Sequence, residues 1–164
     1  MNKLLYISAL LLLLVSCSIP GLGDKTPSIV EVREIQTETI KANDLKKTMK
    51  AAINTLQDDD FMISYTDLDV GIITAEKSEN AESIMDIAIT SLLSQLTDGF
   101  WNKASKGLRT VYVNINISDL GNDMKIRTSF IAKVYDTSGK LMKQESVKSR
   151  EVYDAFYRRL RKFM

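Results

Sequence analysis

The sequence predicts an α+β domain: a mostly antiparallel sheet of about five to six strands with about three helices packed on it. Apolar residues alternate with polar ones from Val111 to Ser118 and again from Met124 to Val134, with a short turn between. Apolar residues also recur at helical spacing, as from Leu45 to Leu56. Hairpins combined with amphipathic helices indicate a sheet with helices on one face.

The chain begins with the three parts of a secretory signal peptide. Lys3 gives a positive start, residues 4–15 are almost entirely apolar, and small Ser16 precedes Cys17. This apolar stretch is shorter than the roughly 20 residues that a transmembrane helix needs. We therefore predict a signal peptide over residues 1–16.

The residues Leu14, Val15, Ser16 and Cys17 read L-V-S-C and resemble the lipobox of bacterial lipoproteins. In that family the cysteine thiol carries a diacylglyceryl group and signal peptidase cuts just before it. The resemblance implies lipidation of Cys17 and signal peptidase recognition of Leu14, Val15 and Ser16. The alternative is a free thiol or a core cysteine, but Cys17 is the only cysteine and has no disulfide partner in an oxidising compartment. If the cell is Gram-negative, Ser18 resembles the residue type of lipoproteins sorted to the outer membrane, where the domain would face the periplasm.

The rest of the chain divides into a tether and one domain. Residues 17–28 hold both prolines and two glycines, which indicates a flexible tether behind the lipidated cysteine. Residues 29–164 have the length and apolar content of a single globular domain.

The domain is expected to begin with a strand and a helix. β-branched residues from Ile29 to Ile40 predict a first strand near a sheet edge. Asn43 is the expected N-cap of the helix that carries the apolar positions from Leu45 to Leu56. The acidic run Asp58–Asp60 is expected to form its exit loop.

A hairpin and a second helix are expected next. Alternate residues from Phe61 to Tyr65 are expected to share one face, and the partner strand runs from Val70 to Lys77. A broad apolar stripe predicts a helix that begins near Asn80. Its end is open, because either Gly99 or Gly107 fits as the terminus.

Three strands and a helix are expected to close the domain. The strands are 111–118, 124–134 and 140–147, each followed by a turn or loop. Ser149 is the expected N-cap of a last helix, whose apolar positions are Val152, Tyr153, Phe156, Tyr157, Leu160 and Phe163.

Two segments of the mature part carry a further resemblance. The segment NTLQDDDFMISYTDLDVGIITAEK and the later YDAFYRRLRKF are similar to small bacterial lipoproteins of unknown function. The predicted order of elements is similar to the helix-grip domains of outer-membrane assembly lipoproteins of the BamC type. Neither resemblance implies an active site.

Few residues suggest chemistry. The chain contains no histidine, the commonest general base and metal ligand near neutral pH. Asp67 and Asp69 superficially resemble a calcium loop, but Ile72 and Ser78 stand where an EF-hand needs glycine and glutamate. We therefore expect no catalytic residue, no metal and no cofactor, and we expect adjacent carboxylates in 58–60 to diverge.

Charge argues against nucleic acid as a partner. Lys3 is the only charged residue of the signal peptide, so the remainder has as many basic as acidic side chains. Acidic residues concentrate in 54–86 and basic residues in 140–164. These segments are expected to pair in part with each other, or else to dock on a partner or on anionic headgroups.

These observations predict a lipid-anchored, non-enzymatic envelope lipoprotein that binds or helps assemble another envelope protein. The alternative is a carrier with an apolar ligand in a pocket between helix and sheet, lined by flexible methionines at positions 49, 62, 85 and 124. A cell-wall hydrolase is a third hypothesis, because two catalytic carboxylates come together only in the fold and have no fixed spacing in the sequence. Phe100 and Trp101 are expected either to fill the core or to anchor a partner.

Overall fold

The computed structural model describes residues 28–80 and 107–164, and it confirms the α+β fold class. Within these residues, six strands form one antiparallel sheet that three α-helices accompany. In chain order the elements are α1 (Ile29–Ile35), β1 (Thr37–Lys41), α2 (Leu45–Asp58), β2 (Met62–Asp67), β3 (Ile72–Asn80), β4 (Leu108–Asp119), β5 (Asp123–Tyr135), β6 (Leu141–Ser146), α3 (Arg150–Leu160) and a last 3₁₀ turn (Arg161–Phe163).

The sheet is built around β5. The strands follow the order β1, β5, β4, β3, β2, and β6 also pairs with β5. β1 pairs with residues 123–127 of β5 and β6 with residues 131–135. β4 pairs with one edge of β5 along nearly its whole length. β1 and β6 therefore pair with the other edge, one after the other.

The core lies on one side of the sheet, between the strands and the two longer helices. The alternate residues expected to be buried are buried, from Val111 to Ile117 in β4 and from Met124 to Val134 in β5. They pack with Leu56 of α2 and with buried residues of α3. We call this side of the sheet the inner face and the opposite side the open face.

The expected first strand is wrong over its first half, where the chain forms α1. Ser28 and Glu31 make a capping box: the Glu31 carboxylate accepts from the Ser28 N–H at 2.6 Å, and the Ser28 hydroxyl accepts from the Glu31 N–H at 3.2 Å. This reciprocal pair satisfies two N–H groups that a helix start otherwise leaves open. Only Thr37–Lys41 is a strand, and it does lie at the edge of the sheet.

The first long helix begins one residue later than expected. Asp44 is the N-cap of α2, and its side chain accepts from the Lys47 N–H at 2.9 Å. Asn43 lies just outside the helix. An ionised carboxylate at this position also interacts favourably with the helix dipole, which an amide does not.

The expected face of Tyr65 is also wrong. β2 and β3 form the predicted hairpin, but the register shifts between Ile63 and Tyr65. This bulge adds one residue to the strand and turns the following side chains to the other face. Phe61 is therefore buried on the inner face, while Tyr65 lies on the open face with 54% of its surface exposed.

The expected second helix falls at the boundary of the described residues. β3 continues to Asn80, where the second helix was expected to begin, and the rest of that helix lies outside the described residues. The described residues resume at Gly107. A Cβ atom at this position would stand 2.0 Å from the Tyr135 carbonyl oxygen. A glycine is required there by this close approach.

The last helix closes the sheet through two tyrosine hydroxyls. Tyr153 donates to the Val147 carbonyl at 3.0 Å and accepts from the Phe130 N–H at 3.4 Å and the Gln36 side chain at 3.3 Å. Tyr157 donates to the Gln36 carbonyl at 2.6 Å. These contacts lie where β1 ends its pairing with β5 and β6 begins, so α3 joins both edge strands to β5. Burial raises the pKa of both tyrosines, so their hydroxyls stay protonated.

The remainder of α3 follows the sequence expectation with one difference. Its five apolar positions from Val152 to Leu160 are buried, whereas Phe163 is 39% exposed. Ser149 is the N-cap residue, but its hydroxyl donates to the Glu151 carboxylate at 2.7 Å and bonds no backbone N–H.

Tyr153→Phe is expected to lower the free energy of unfolding by about 1–3 kcal/mol, because the buried Phe130 N–H and Val147 carbonyl lose a partner while the ring still fits. Urea denaturation of the variant and the parent chain measures this difference. The control is Tyr65→Phe, since that hydroxyl bonds only exposed Asp67 in the described structure. Equal denaturation midpoints for the parent and Tyr153→Phe would show that the stability of the domain does not depend on this hydroxyl.

Candidate binding surface

The residues of the expected anchor lie outside the described part of the chain. These are Cys17, the expected lipidation site, and Leu14, Val15 and Ser16, the expected signal peptidase recognition residues. Phe100 and Trp101 also lie outside it. The candidate site is therefore built from the folded domain alone.

The open face of the sheet carries the polar side chains of the two long strands β4 and β5. Alternate side chains from Thr110 to Ser118 of β4 and from Lys125 to Tyr135 of β5 point to it, because the intervening ones are buried on the inner face. No described helix packs on this side, since α2 and α3 share the core cluster of the inner face. Among residues 28–80 and 107–164, the strand register decides which polar groups meet there.

A cluster around Tyr112 occupies the centre of this face. In the register, Tyr112 lies opposite Glu76 of β3 on one side and Ile131 of β5 on the other. The Lys133 ammonium lies 4.2 Å from the centre of the Tyr112 ring, which is cation–π distance. The Tyr112 hydroxyl is hydrogen-bonded to that of Tyr135. All of these side chains are half-buried.

The environment of Tyr112 fixes its protonation state. The hydrogen bond with Tyr135, desolvation and the Glu76 carboxylate together raise its pKa to about 12. At neutral pH the phenol is therefore neutral. The cluster offers hydrogen bonds, an aromatic face and one ammonium, which are groups for binding.

Hydroxyl and amide groups continue the polar surface along β3 and β4. Ser78 and Thr110 share a hydrogen bond at 2.9 Å, and Asn114 donates to the Thr74 hydroxyl at 3.3 Å. These pairs lie on either side of Tyr112 along the strand. Cross-strand pairs of this kind hold side chains in place without a loop.

The acidic run Asp58–Asp60 is used for ion pairs. Asp59 caps the end of α2 and its carboxylate lies 2.5 Å from an Arg159 nitrogen of α3. Asp60 lies 3.4 Å from the Lys77 ammonium. The expected pairing between the acidic and basic segments is thus confirmed for Asp59 and Arg159. The described residues contain no group of three or more acidic, histidine or cysteine side chains that could hold a metal ion.

The Asp67 turn is a hairpin turn, as the spacing indicated. The Asp67 carboxylate accepts from the Asp69 N–H at 3.0 Å and from the Val70 N–H at 3.2 Å. These bonds and the Tyr65 hydroxyl hold the pKa of Asp67 below its ordinary value. Gly71 has a φ of 67°, and a Cβ atom there would stand 2.2 Å from the Ile117 carbonyl oxygen.

The sequence shows the wet faces of β4 and β5 but not the Tyr112 cluster. Strict alternation already separates Tyr112 and Asn114 from the buried valines, and Lys133 from Val134. Which side chains of different strands become neighbours depends on register, and the alternation does not contain it. Glu76 and Tyr135 therefore carry no sequence signal of a shared site.

No described helix is both long and apolar enough to span a membrane. No model of a known protein family matches the sequence, and no curated protein sequence matches it either. Among solved structures, it is similar to the crystal structure of a DUF4468 family protein from Bacteroides ovatus ATCC 8483, at 10% identity and a TM-score of 0.34. The match covers 68% of this chain and 59% of that protein. Similarity at this level carries no argument about function.

Arg159→Met is expected to destabilise the domain by about 2 kcal/mol at neutral pH, because the half-buried Asp59 carboxylate loses the Arg159 guanidinium and keeps only the weaker attraction of Lys77. The value lies below the roughly 3–5 kcal/mol of a fully buried pair, since 26% of the Arg159 side chain is exposed. Desolvation already holds the pKa of Asp59 above its usual 3.8 despite Arg159. Removing the arginine raises that pKa further, so the deficit should shrink as pH falls through the raised pKa and vanish below about 3.8.

Unfolding by urea between pH 3 and pH 7 measures this dependence. The double variant Asp59→Leu with Arg159→Met is the control, because replacing both charges by apolar groups avoids an unpaired buried charge. A deficit of Arg159→Met that stays constant over this pH range would contradict the role assigned to Asp59.

Proposed function

We propose that this chain is a lipid-anchored, non-enzymatic lipoprotein of the bacterial envelope, and that its domain binds or helps assemble another envelope protein. The observation that carries the proposal is the L-V-S-C stretch that ends at Cys17, the only cysteine of the chain. Its position behind a short positive start and an apolar stretch is that of a lipoprotein signal. With Cys17 acylated and no histidine in the chain, contact is a better supported role than catalysis.

The distance between anchor and domain suits a protein that works beside the membrane. Ten residues, 18–27, separate Cys17 from Ser28, where α1 is capped. Such a segment spans at most about 35 Å when fully extended. The domain is therefore able to stand clear of the bilayer and to reach a neighbour within a few nanometres.

The open face supports a contact role. Around its centre it presents neutral Tyr112, amide and hydroxyl groups and the Lys133 ammonium at cross-strand positions. Tyr residues are frequent energetic anchors of protein interfaces, because the ring is large and rigid and the hydroxyl remains polar. A binding partner is expected to cover the region around Tyr112.

The carrier hypothesis has less support in the described core. Met49 and Met124 are 4% and 0% exposed within the packed core, while Met62 is 72% exposed on the edge strand β2. These three side chains do not line one common pocket, and Met85 lies outside the described residues. We therefore retain the binding hypothesis as the main proposal.

Cys17→Ala is expected to remove the protein from the membrane fraction or to leave it with an uncleaved signal peptide, because the acyl acceptor is lost. Fractionation and the intact mass of the protein measure both outcomes. Ser18→Ala is the matched control and should remain processed and membrane-bound. Unchanged fractionation and mass of Cys17→Ala would count against the lipid anchor.

A photo-crosslinking amino acid at Asn114 is expected to yield an adduct of defined mass in intact cells, since Asn114 is exposed beside Tyr112 on the open face. The same amino acid at exposed Gln57 of α2 is the control on the helical side. A specific adduct from Gln57 but not from Asn114 would place the contact on the helices and overturn the open face as the binding surface.

A further inference from the structure

Apart from Lys133 in the Tyr112 cluster, the positive side chains of the open face lie toward one edge of it. Lys125 and Arg127 of β5 and Lys41 of β1 are exposed, and we call these three residues the basic edge. Within residues 28–80 and 107–164 none of the three makes an ion pair, whereas Arg159 of α3 pairs with Asp59 and Arg161 of the 3₁₀ turn pairs with Glu38.

The register places the three cations on one side of the sheet. Lys125 lies opposite Thr39 and Arg127 opposite Thr37, so both strands contribute to one strip. Lys125 and Arg127 are two residues apart, which is about 7 Å along a strand. The acidic residue that faces this strip is Asp123, opposite Lys41. The three cations therefore exceed the facing carboxylates by two.

Apart from Asp123, the acidic groups of the open face named here lie toward the other edge. Glu76 of β3 is separated from β5 by the whole of β4, and Asp67 belongs to β2 at the far edge of the sheet. The open face is thus positive at one edge and negative toward the other. An anionic surface would therefore contact the side of the open face that β1 and β5 form.

The chain enters the domain at the same edge. From Ser28, α1 leads directly into β1, whose first residue Thr37 pairs with Arg127. The tether from Cys17 therefore joins the domain through the element that leads into β1 and not through β2. The element that the tether joins and the excess of positive charge both belong to the β1 side of the sheet.

We propose that the basic edge binds the anionic phospholipid headgroups of the membrane that holds the anchor. This inference rests on the proposed lipid anchor at Cys17. Each basic side chain at an anionic surface strengthens association about fivefold. A lipid chain with a basic patch is also a common way to combine two membrane signals. Docked in this way, the domain turns β2 and the acidic side of the open face away from the bilayer, toward other envelope proteins.

The test uses the processed full chain, purified from membranes and reconstituted into phosphatidylcholine vesicles with or without phosphatidylglycerol. An environment-sensitive fluorophore is attached at Thr39→Cys, which is exposed and lies opposite Lys125. The same label at Tyr65→Cys reports the opposite edge of the sheet. The expected result is lipid contact of the Thr39 label in anionic vesicles but not in neutral ones, and no lipid contact at Tyr65.

The variant Lys125→Gln with Arg127→Gln should lower the ratio of docked to undocked protein roughly 30-fold. The matched control is Lys46→Gln with Lys47→Gln, which removes two exposed lysines of α2 and should leave the ratio unchanged. About 1 M salt should also abolish docking, because the screening length falls to about 3 Å.

The outcomes separate this proposal from the anchor. Thr39 contact that is equal in both vesicle types, or that survives Lys125→Gln with Arg127→Gln, would overturn the basic edge as a lipid site and favour an acidic protein as its partner. Protein that carries no acyl group on Cys17 and floats only with anionic vesicles would overturn the anchor while supporting the basic edge. Protein that floats with neither vesicle type would overturn both.

Discussion

The hydroxyl of Tyr153 is the contact on which the arrangement of the sheet depends. Because β1 and β6 follow one another along the same edge of β5, the Phe130 N–H falls between them. A buried backbone group of this kind needs a partner. Tyr153 supplies it and bonds the Val147 carbonyl with the same hydroxyl, while Tyr157 reaches the Gln36 carbonyl. The last helix thereby holds both edge strands against β5.

This arrangement explains why the open face is suited to binding. With the described helices and the core on the inner face, strand register sets which of the described side chains meet around Tyr112. Glu76, Tyr112 and Ile131 form one row across three strands, and Lys133 stacks on the tyrosine ring from the neighbouring row. Groups carried by paired strands keep their geometry better than groups on loops. These side chains should therefore lose little conformational entropy when a partner binds.

The parts of the fold that follow from single residues and their period could be predicted, and the parts that depend on distant partners could not. β4 and β5 were predicted well because their alternation is strict and their connection is a short turn. The first strand was half wrong because the capping box of Ser28 and Glu31 outweighed the β-branched residues that follow it. Tyr65 changed face because of a bulge, which leaves no mark in the apolar pattern. The Asp59–Arg159 pair joins residues a hundred positions apart, so the charge blocks indicated it only in outline.

The net charge of the chain hides how its charges are divided between structure and surface. The formal charge is +1, and the densest run of cations is at the C-terminus. Two of those arginines are engaged with Asp59 and Glu38 on other elements. Arg158 and Lys162 of the same run are exposed and make no ion pair within the described residues, and exposed cations without such partners also lie on β5 and β1, where the sequence shows only the polar positions of two alternating strands. A basic segment is therefore an incomplete guide to a basic surface in this fold, since pairing across elements decides which charges remain available for contact.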